Sequence, residues 1–409
     1  MRDKETFSGS PAGEAIASGS PAGETGDFGR PAEEAMDFGR ELADFRGMGG
    51  GQLRDELERR LGQAEPADED FRRKAELRWA DIAKPLGSLG ILEAQISAVA
   101  AMRRALLPSL GRRALVIFCA DNGVVEEGVS QTGQGVTSAV AGNISRGTSC
   151  SSLMAARCDA RVYPVDLGIA EDIKDPGMVH PLVDRAVRRG TRNFLREDAM
   201  TEEECLRAVL TGIDAARVLA ENGVEIIAGG EMGIGNTTTA SAMTSVLLGA
   251  APEDVTGRGA GLSDRGLSAK IRAVREGIAA RKPDPSRPLE VLQKLGGYDI
   301  AGMAGLFLGG AISRIPVVMD GFISQCAALC AVRILPAAGG YLLASHASGE
   351  PGSRSILREL RKEAPIHAGL HLGEGTGALL LLPALDMALA VYRDMLSFEE
   401  IGVTAYQPY

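Results

Sequence analysis

From about Leu53 onward, two apolar patterns follow one another along the chain. The first is helical. DEDFRRKAELRWADIAKPLGSLGILEAQISAVAAMRRAL reads as two helices broken at Lys84-Pro85-Leu86-Gly87, where proline and glycine interrupt the backbone pattern. The second is a series of short apolar runs: ALVIFCA (114–120), RVYPVDLG (161–168), VEIIAGG (224–230), PVVMDG (316–321) and GGYLLASHAS (339–348). Helical stretches separate them, the longest over roughly 202–222, and a closing helix runs over roughly 376–396. Runs spaced by helices of a dozen residues or more predict an α/β fold with a doubly wound, mostly parallel sheet. That core is expected over residues 111–350. Residues 53–110 and 351–409 are expected to form a smaller helical lobe around it.

Residues 1–52 break the pattern. They repeat with a ten-residue period (SGSPAGEAIA, SGSPAGETGD, FGRPAEEAMD, FGRELADFRG), and the first fifty contain one Ile, one Leu and no Val. So few aliphatic side chains cannot offset the entropy of ordering, so this segment is expected to be a disordered, low-complexity tail.

Composition narrows the function. A net charge of −10 argues against a nucleic-acid surface or an anionic membrane as partner. The six cysteines form no CxxC pair and mostly sit in apolar runs. Buried reduced thiols and a cytoplasmic protein are therefore expected. The longest apolar stretch, GALLLLPALDMALAV, is interrupted by Pro383 and Asp386 and falls short of the ~18–20 residues of a membrane span. The N-terminus lacks the basic-then-apolar pattern of a secretory signal.

Four of the apolar runs end in, or lead directly into, an acid: Asp121, Asp166, Glu231 and Asp320. In a doubly wound sheet the ligand crevice lies beyond the carboxyl ends of the strands. One acid there is an ordinary turn or cap residue; four on one rim point to a site. Gly-rich turns precede predicted helices in GEMGIGNTTTAS, TGRGAGLSDRGLSAK and LGEGTGALL. Backbone N–H groups at such turns favour a phosphate, and Lys270 is close enough in sequence to fold back on it. TGRGAGL lacks the third glycine of the dinucleotide fingerprint, and no Gly-Lys-Ser/Thr follows it. His367 and His371 have zinc-like spacing, but Gly369 lies between them in a non-helical stretch, so no metal is expected. With no GxSxG elbow, carboxylates are left as the acid–base groups. A nucleotide-dependent oxidoreductase and a non-catalytic nucleotide sensor stay open on the residues alone.

Eight segments in order narrow this further: KPLGSLGILE (84–93), FCADNGVVEEGVS (118–130), GGEMGIGNTTTASA (229–242), GRGAGL with Lys270, GGYDIAGMAG (296–305), PVVMDGFISQCAAL (316–329), SHASGEPG (345–352) and HLGEGTGALL (371–380). Together they resemble the nicotinate-nucleotide:dimethylbenzimidazole phosphoribosyltransferase family over residues 70–400. The resemblance implies a cytoplasmic homodimer that needs no cofactor. Its small-molecule substrates would be nicotinate mononucleotide and a benzimidazole-type base, giving α-ribazole 5′-phosphate for the cobalamin lower ligand. It implies Glu374 as base and Glu231 as supporting acid, with phosphate held by Gly233, Gly259, Gly261, Lys270 and Ser348. Asp121, Asp320, Ser130, Thr137 and Met232 are further candidates for ribose or base contacts. The family often carries Gln two positions past a Thr after the DNGV motif; here Thr137 is followed by Ser138 and Ala139. Adenine, a phenol or another benzimidazole therefore stays open as the accepted base.

Overall fold

A computed structural model describes residues 36–173 and 177–406. Residues 1–35, most of the expected tail, lie outside that range. Among the described residues, six strands form a single all-parallel sheet: β1 (Arg113–Ala120), β2 (Ala160–Gly168), β3 (Val183–Asp184), β4 (Ile226–Met232), β5 (Val317–Met319) and β6 (Leu342–Ala344). Their order is β3-β2-β1-β4-β5-β6. The chain starts at the centre, winds outward through β2 and β3, returns beside β1 as β4, and winds out the other way. The reversal between β1 and β4 opens a crevice at their carboxyl ends. Five of the strands match the apolar runs; β3 has only two residues, too few to leave a periodicity. Gly339–Tyr341, which the pattern assigned to the last strand, belong to a 3-10 turn.

Among the described residues, fifteen α-helices surround the sheet. Before β1 come α1 (Phe38–Glu41), α2 (Gly50–Leu61), α3 (Glu69–Asp81) and α4 (Ile91–Arg103). α5 (Gly135–Ser145) and α6 (Cys150–Arg157) lead to β2, and α7 (Glu202–Glu221) to β4. Between β4 and β5 lie α8 (Asn236–Leu248), α9 (Pro252–Val255), α10 (Asp264–Arg281), α11 (Pro288–Leu295) and α12 (Tyr298–Ile312); α13 (Phe322–Ile334), α14 (Gly352–Glu359) and α15 (Thr376–Asp394) follow β5. A capping box starts α7: Glu204 N–H donates to Thr201 Oγ1 (3.2 Å) and Thr201 N–H donates to Glu204 Oε2 (2.7 Å).

β1 is buried from Ala114 to Ala120, as a strand covered on both faces must be. The two layers can be read from two adjacent glycines in β4. A Cβ on Gly229 would touch Leu306 and Phe307 of α12, whereas one on Gly230 would lie 2.7 Å from the backbone of Glu374, just before α15. Successive strand residues face opposite sides, so α12 and the start of α15 cover opposite faces. α7 packs tightly along α12, because a Cβ on Gly212, Gly305 or Gly309 would strike the backbone or a side chain of the other helix.

The structure corrects the expected tail boundary. Residues 36–52 are ordered against the core, with Phe38, Leu42 and Phe45 buried and the Phe38 ring 4.6 Å from that of Tyr163 in β2. Two of the three are phenylalanines, which a count of Ile, Leu and Val passes over, and only Phe38 lies in the short α1. Behind them Asp214, a buried carboxylate of α7, accepts from Ala43 N–H (2.7 Å), Arg60 Nη1 (2.8 Å) and Arg217 Nε (2.8 Å). α2 thus lies on α7, while α3, α4 and α15 pack together, with the Trp79 and Tyr392 rings 4.8 Å apart. α15 follows the closing helix expected over roughly 376–396 and ends at Asp394. Its 19 residues are apolar enough to cross a membrane by composition, yet it packs on β4, α4 and α6.

Candidate active site

The crevice at the switch point is a cavity of about 280 Å³. Both predicted glutamates line it, together with Gly233, Gly259, Ser348, Asp320, Ser130 and Met232. Glu231 is the penultimate residue of β4 and is only 6% exposed. Glu374 reaches the same wall from the other end of the chain. It sits between Gly373 and Gly375, and all three have left-handed φ (+92°, +56° and +77°). A non-glycine residue there costs about 1–3 kcal/mol and persists only where its surroundings fix it. Here they do: Glu374 N–H donates to Glu231 O (3.2 Å), and Ser151 Oγ donates to Glu374 Oε2 (2.7 Å).

Asp320 is the anchor of that loop. α15 starts at a glycine, which has no capping side chain, so Asp320 substitutes from across the sheet. It accepts from the N–H groups of Gly375 (3.2 Å), Gly377 (2.7 Å) and Ala378 (3.2 Å). Burial pushes its carboxyl up to about 6 against the pull of those donors. Burial also lowers His346 to about 4, so the imidazole 3.8 Å from Asp320 is neutral and the contact is no ion pair.

Glu231 belongs to a second network that the sequence reading missed. Asn236, the first residue of α8, donates through Nδ2 to Glu231 Oε2 and to Asp299 Oδ2 (2.8 Å). Space for this pairing requires Gly233, where a Cβ would strike Ala120 O and the Asp299 carboxylate. Burial, reinforced by the charges of Asp299 and Asp320, raises Glu231 well above the usual carboxylate range. Burial pushes Asp299 up to about 6. These surroundings favour a protonated Glu231, and a cationic ligand would favour its ionised form.

Another part of the cavity wall is built from the turn before α10. Gly259 and Gly261 have φ of +54° and +97°. Fully buried Lys270 points back beneath this turn: Nζ donates to Thr237 Oγ1 (2.7 Å), and a Cβ on Gly259 would lie 3.2 Å from Nζ. Burial lowers Lys270 to about 8, with Glu350 opposing. Glu350 Oε1 accepts the Gly259 N–H (3.0 Å). Gly261 lies at the mouth, beside Gln131.

Asp121 and Thr137 differ from the expected base or ribose contacts. Thr137 Oγ1 donates to Asp121 Oδ1 (2.6 Å) and accepts Ile234 N–H (3.1 Å), and Asp121 Oδ2 accepts Ala170 N–H (2.8 Å). The pair is a buried strut behind the cavity wall. Asp166 closes its own turn through Gly168 and Ile169 N–H (2.8 Å each). Arg258, Gln131, Ser324, His346 and Glu350 also line the cavity. Asp299 had a visible signal, an acid directly after Gly-Gly-Tyr in GGYDIAGMAG; Ser151 had none. Among the described residues, no group of three or more His, Cys, Asp and Glu side chains could hold a metal ion.

A doubly wound parallel sheet with two glutamates and a glycine-rich turn lining one switch-point cavity suits a phosphoribosyl-handling enzyme, and the phosphoribosyltransferase family model matches residues 64–403. A Ruminiclostridium cellulolyticum nicotinate-nucleotide–dimethylbenzimidazole phosphoribosyltransferase is 42% identical over 335 residues, covering 82% of this chain and 94% of its own. The Acetivibrio thermocellus protein of the same name is 43% identical over 331 residues, covering 81% of this chain and 93% of its own. The crystal structure of CobT from Thermus thermophilus superposes with a TM-score of 0.78 at 40% identity, covering 82% of this chain and all of that one. This chain belongs to the nicotinate-nucleotide–dimethylbenzimidazole phosphoribosyltransferase family.

Proposed function

We propose that the protein moves the 5-phosphoribosyl group of nicotinate mononucleotide onto 5,6-dimethylbenzimidazole or a related base. The products are α-ribazole 5′-phosphate and nicotinate, within assembly of the cobalamin lower ligand. The observation that carries this reading is that Glu231 and Glu374, 143 positions apart in sequence, line one cavity with Gly233 and Gly259.

The chemistry suits those groups. Nicotinate joined through its ring nitrogen is a pyridinium, so the C–N bond breaks with the pair passing to nitrogen and needs no acid. An azole nitrogen forms the new bond on the opposite face, inverting the anomeric carbon. The azole N–H proton passes to Glu374 as general base, a role worth on the order of 10²–10⁴-fold. Glu231, ionised when the pyridinium charge enters, stabilises positive charge on the ribose. Holding both ligands in line supplies much of the remaining acceleration. Lys270 and the Gly259–Gly261 turn take the 5′-phosphate. Ser130 and Met232 line the side left for the base.

The same family reading makes the enzyme a cytoplasmic homodimer. Six free cysteines, five of them buried, fit a reducing compartment. The test is incubation with nicotinate mononucleotide and a panel of bases, with mass detection of the riboside phosphate. No product with any base overturns the reading. Glu374→Gln is expected to lower kcat by at least about 100-fold while nicotinate mononucleotide still binds in calorimetry; unchanged turnover would remove Glu374 as the base.

A further inference from the structure

The start of α6 carries the run Ser149-Cys150-Ser151-Ser152, outside the cavity lining. A buried helical serine commonly turns its hydroxyl onto a carbonyl of its own helix. Buried Ser241 does so here, bonding Thr237 O (2.8 Å). Ser151 does not. It is fully buried, yet its hydroxyl crosses to Glu374 Oε2 at 2.7 Å. Ser151 is the donor in this contact, and a hydroxyl has a single proton to give. Its own oxygen must then accept, and Ser149 Oγ lies 2.8 Å away. Ser149 in turn caps α6 by accepting Ser152 N–H (3.1 Å), with the Ser152 hydroxyl 2.9 Å off. The hydrogen bonds run in one direction, from Ser149 to Ser151 to Glu374, and each polarises the next.

We propose that Ser151, held by Ser149, is a positioning residue for the reaction: it occupies Oε2 of Glu374 so that the carboxylate presents Oε1 to the incoming azole. This rests on the reading of Glu374 as base. Two anchors hold that residue. The backbone N–H is tied to β4 through Glu231 O, and the side chain is tied to α6 through Ser151. With only the first, the carboxylate is free to turn about its side-chain torsions inside the cavity. A small displacement of a catalytic group lowers turnover steeply.

The test compares Ser151→Ala, Ser151→Thr and Ser149→Ala with the unaltered enzyme in the phosphoribosyl-transfer assay. Ser151→Ala is expected to lower kcat about tenfold or more, the worth of one hydrogen bond to a charged group. KM for nicotinate mononucleotide should stay within about twofold, since the anion cradle is untouched. Ser151→Thr, which keeps the hydroxyl, should recover most of the lost kcat, and Ser149→Ala should give a smaller loss of the same kind. A Ser151→Ala enzyme with full kcat overturns the proposal. So does a loss of kcat matched by a rise in KM and a fall in Tm that Ser151→Thr does not reverse, which is the pattern of a packing role. Failure of the unaltered enzyme to turn over would instead overturn the functional reading, so the two failures are distinguishable.

Discussion

At the scale of single residues, the site is decided by how side chains are desolvated. Lys270 is the clearest case. With burial holding it near 8, its charge is present at neutral pH and lost above pH 8 in the free enzyme. A 5′-phosphate bound beside it, as proposed, would hold the proton in place. KM for nicotinate mononucleotide is therefore expected to rise above about pH 8 while kcat at saturation changes little. Lys270→Met should remove that dependence and raise KM at pH 7 by about 10–100-fold, the value of one hydrogen bond to a charged group. Steady-state kinetics from pH 6.5 to 9.5 measure both, and a KM flat through pH 9 would show that Lys270 does not hold the phosphate. Glu231 illustrates the converse. Burial first, and then the neighbouring acids Asp299 and Asp320, oppose its ionisation, which an arriving cation would favour.

At the scale of elements, the strand runs were legible because parallel strands buried on both faces are nearly continuous in Val, Ile, Leu and Ala; ALVIFCA lies within β1. The acids were legible for a topological reason, since Glu231 and Asp320 fall where strands end. Contacts between distant segments were not. Nothing near Ser151 in the chain points to Glu374, and nothing near Asp121 distinguishes a strut from a ligand contact. Spacing after the glycine turn pointed to Lys270, whereas the role of Glu374 came from the resemblance alone. The segment 36–52 was misread because its ordering depends on three side chains, Phe38, Leu42 and Phe45, that find a surface already formed by β2 and α7. Replacing Phe38 and Phe45 together by Ala is expected to lower Tm, with about 3–5 kcal/mol lost per ring, and to leave kcat of the folded enzyme unchanged. Scanning calorimetry with parallel assays checks this. An unaltered Tm would mean that the strap contributes nothing to stability.

At the scale of the whole molecule, the rim of acids sets how stability varies with pH. Asp121, Asp166, Asp299 and Asp320 are each raised by burial from 3.8 to about 6. A group raised in the folded state stabilises the fold fully below its unfolded value, and that contribution is lost as pH climbs through its folded value. The exposed pairs act in the opposite sense: arginine partners hold Asp44 and Glu56 down to about 2, and their contribution is lost in acid. Without ligand, Tm is therefore expected to be higher near pH 5 than at pH 7.5, the reverse of an ordinary acid-labile enzyme. Calorimetry across that range decides it, and a Tm that climbs steadily to pH 7.5 would show that the acid rim is not the dominant titrating set.

The left-handed Gly373-Glu374-Gly375 loop has a consequence for synthesis on the ribosome. Every strand and the Gly259–Gly261 turn precede it, yet Leu370, His371, Leu372, Gly373, Glu374 and Thr376 form part of the cavity wall, and Asp320 caps the helix that follows. A nascent or prematurely terminated polypeptide would lack both that part of the wall and the carboxylate proposed as proton acceptor. Incomplete copies would neither enclose the substrate nor consume it, and enclosure and competence would arrive together as the C-terminal segment docks.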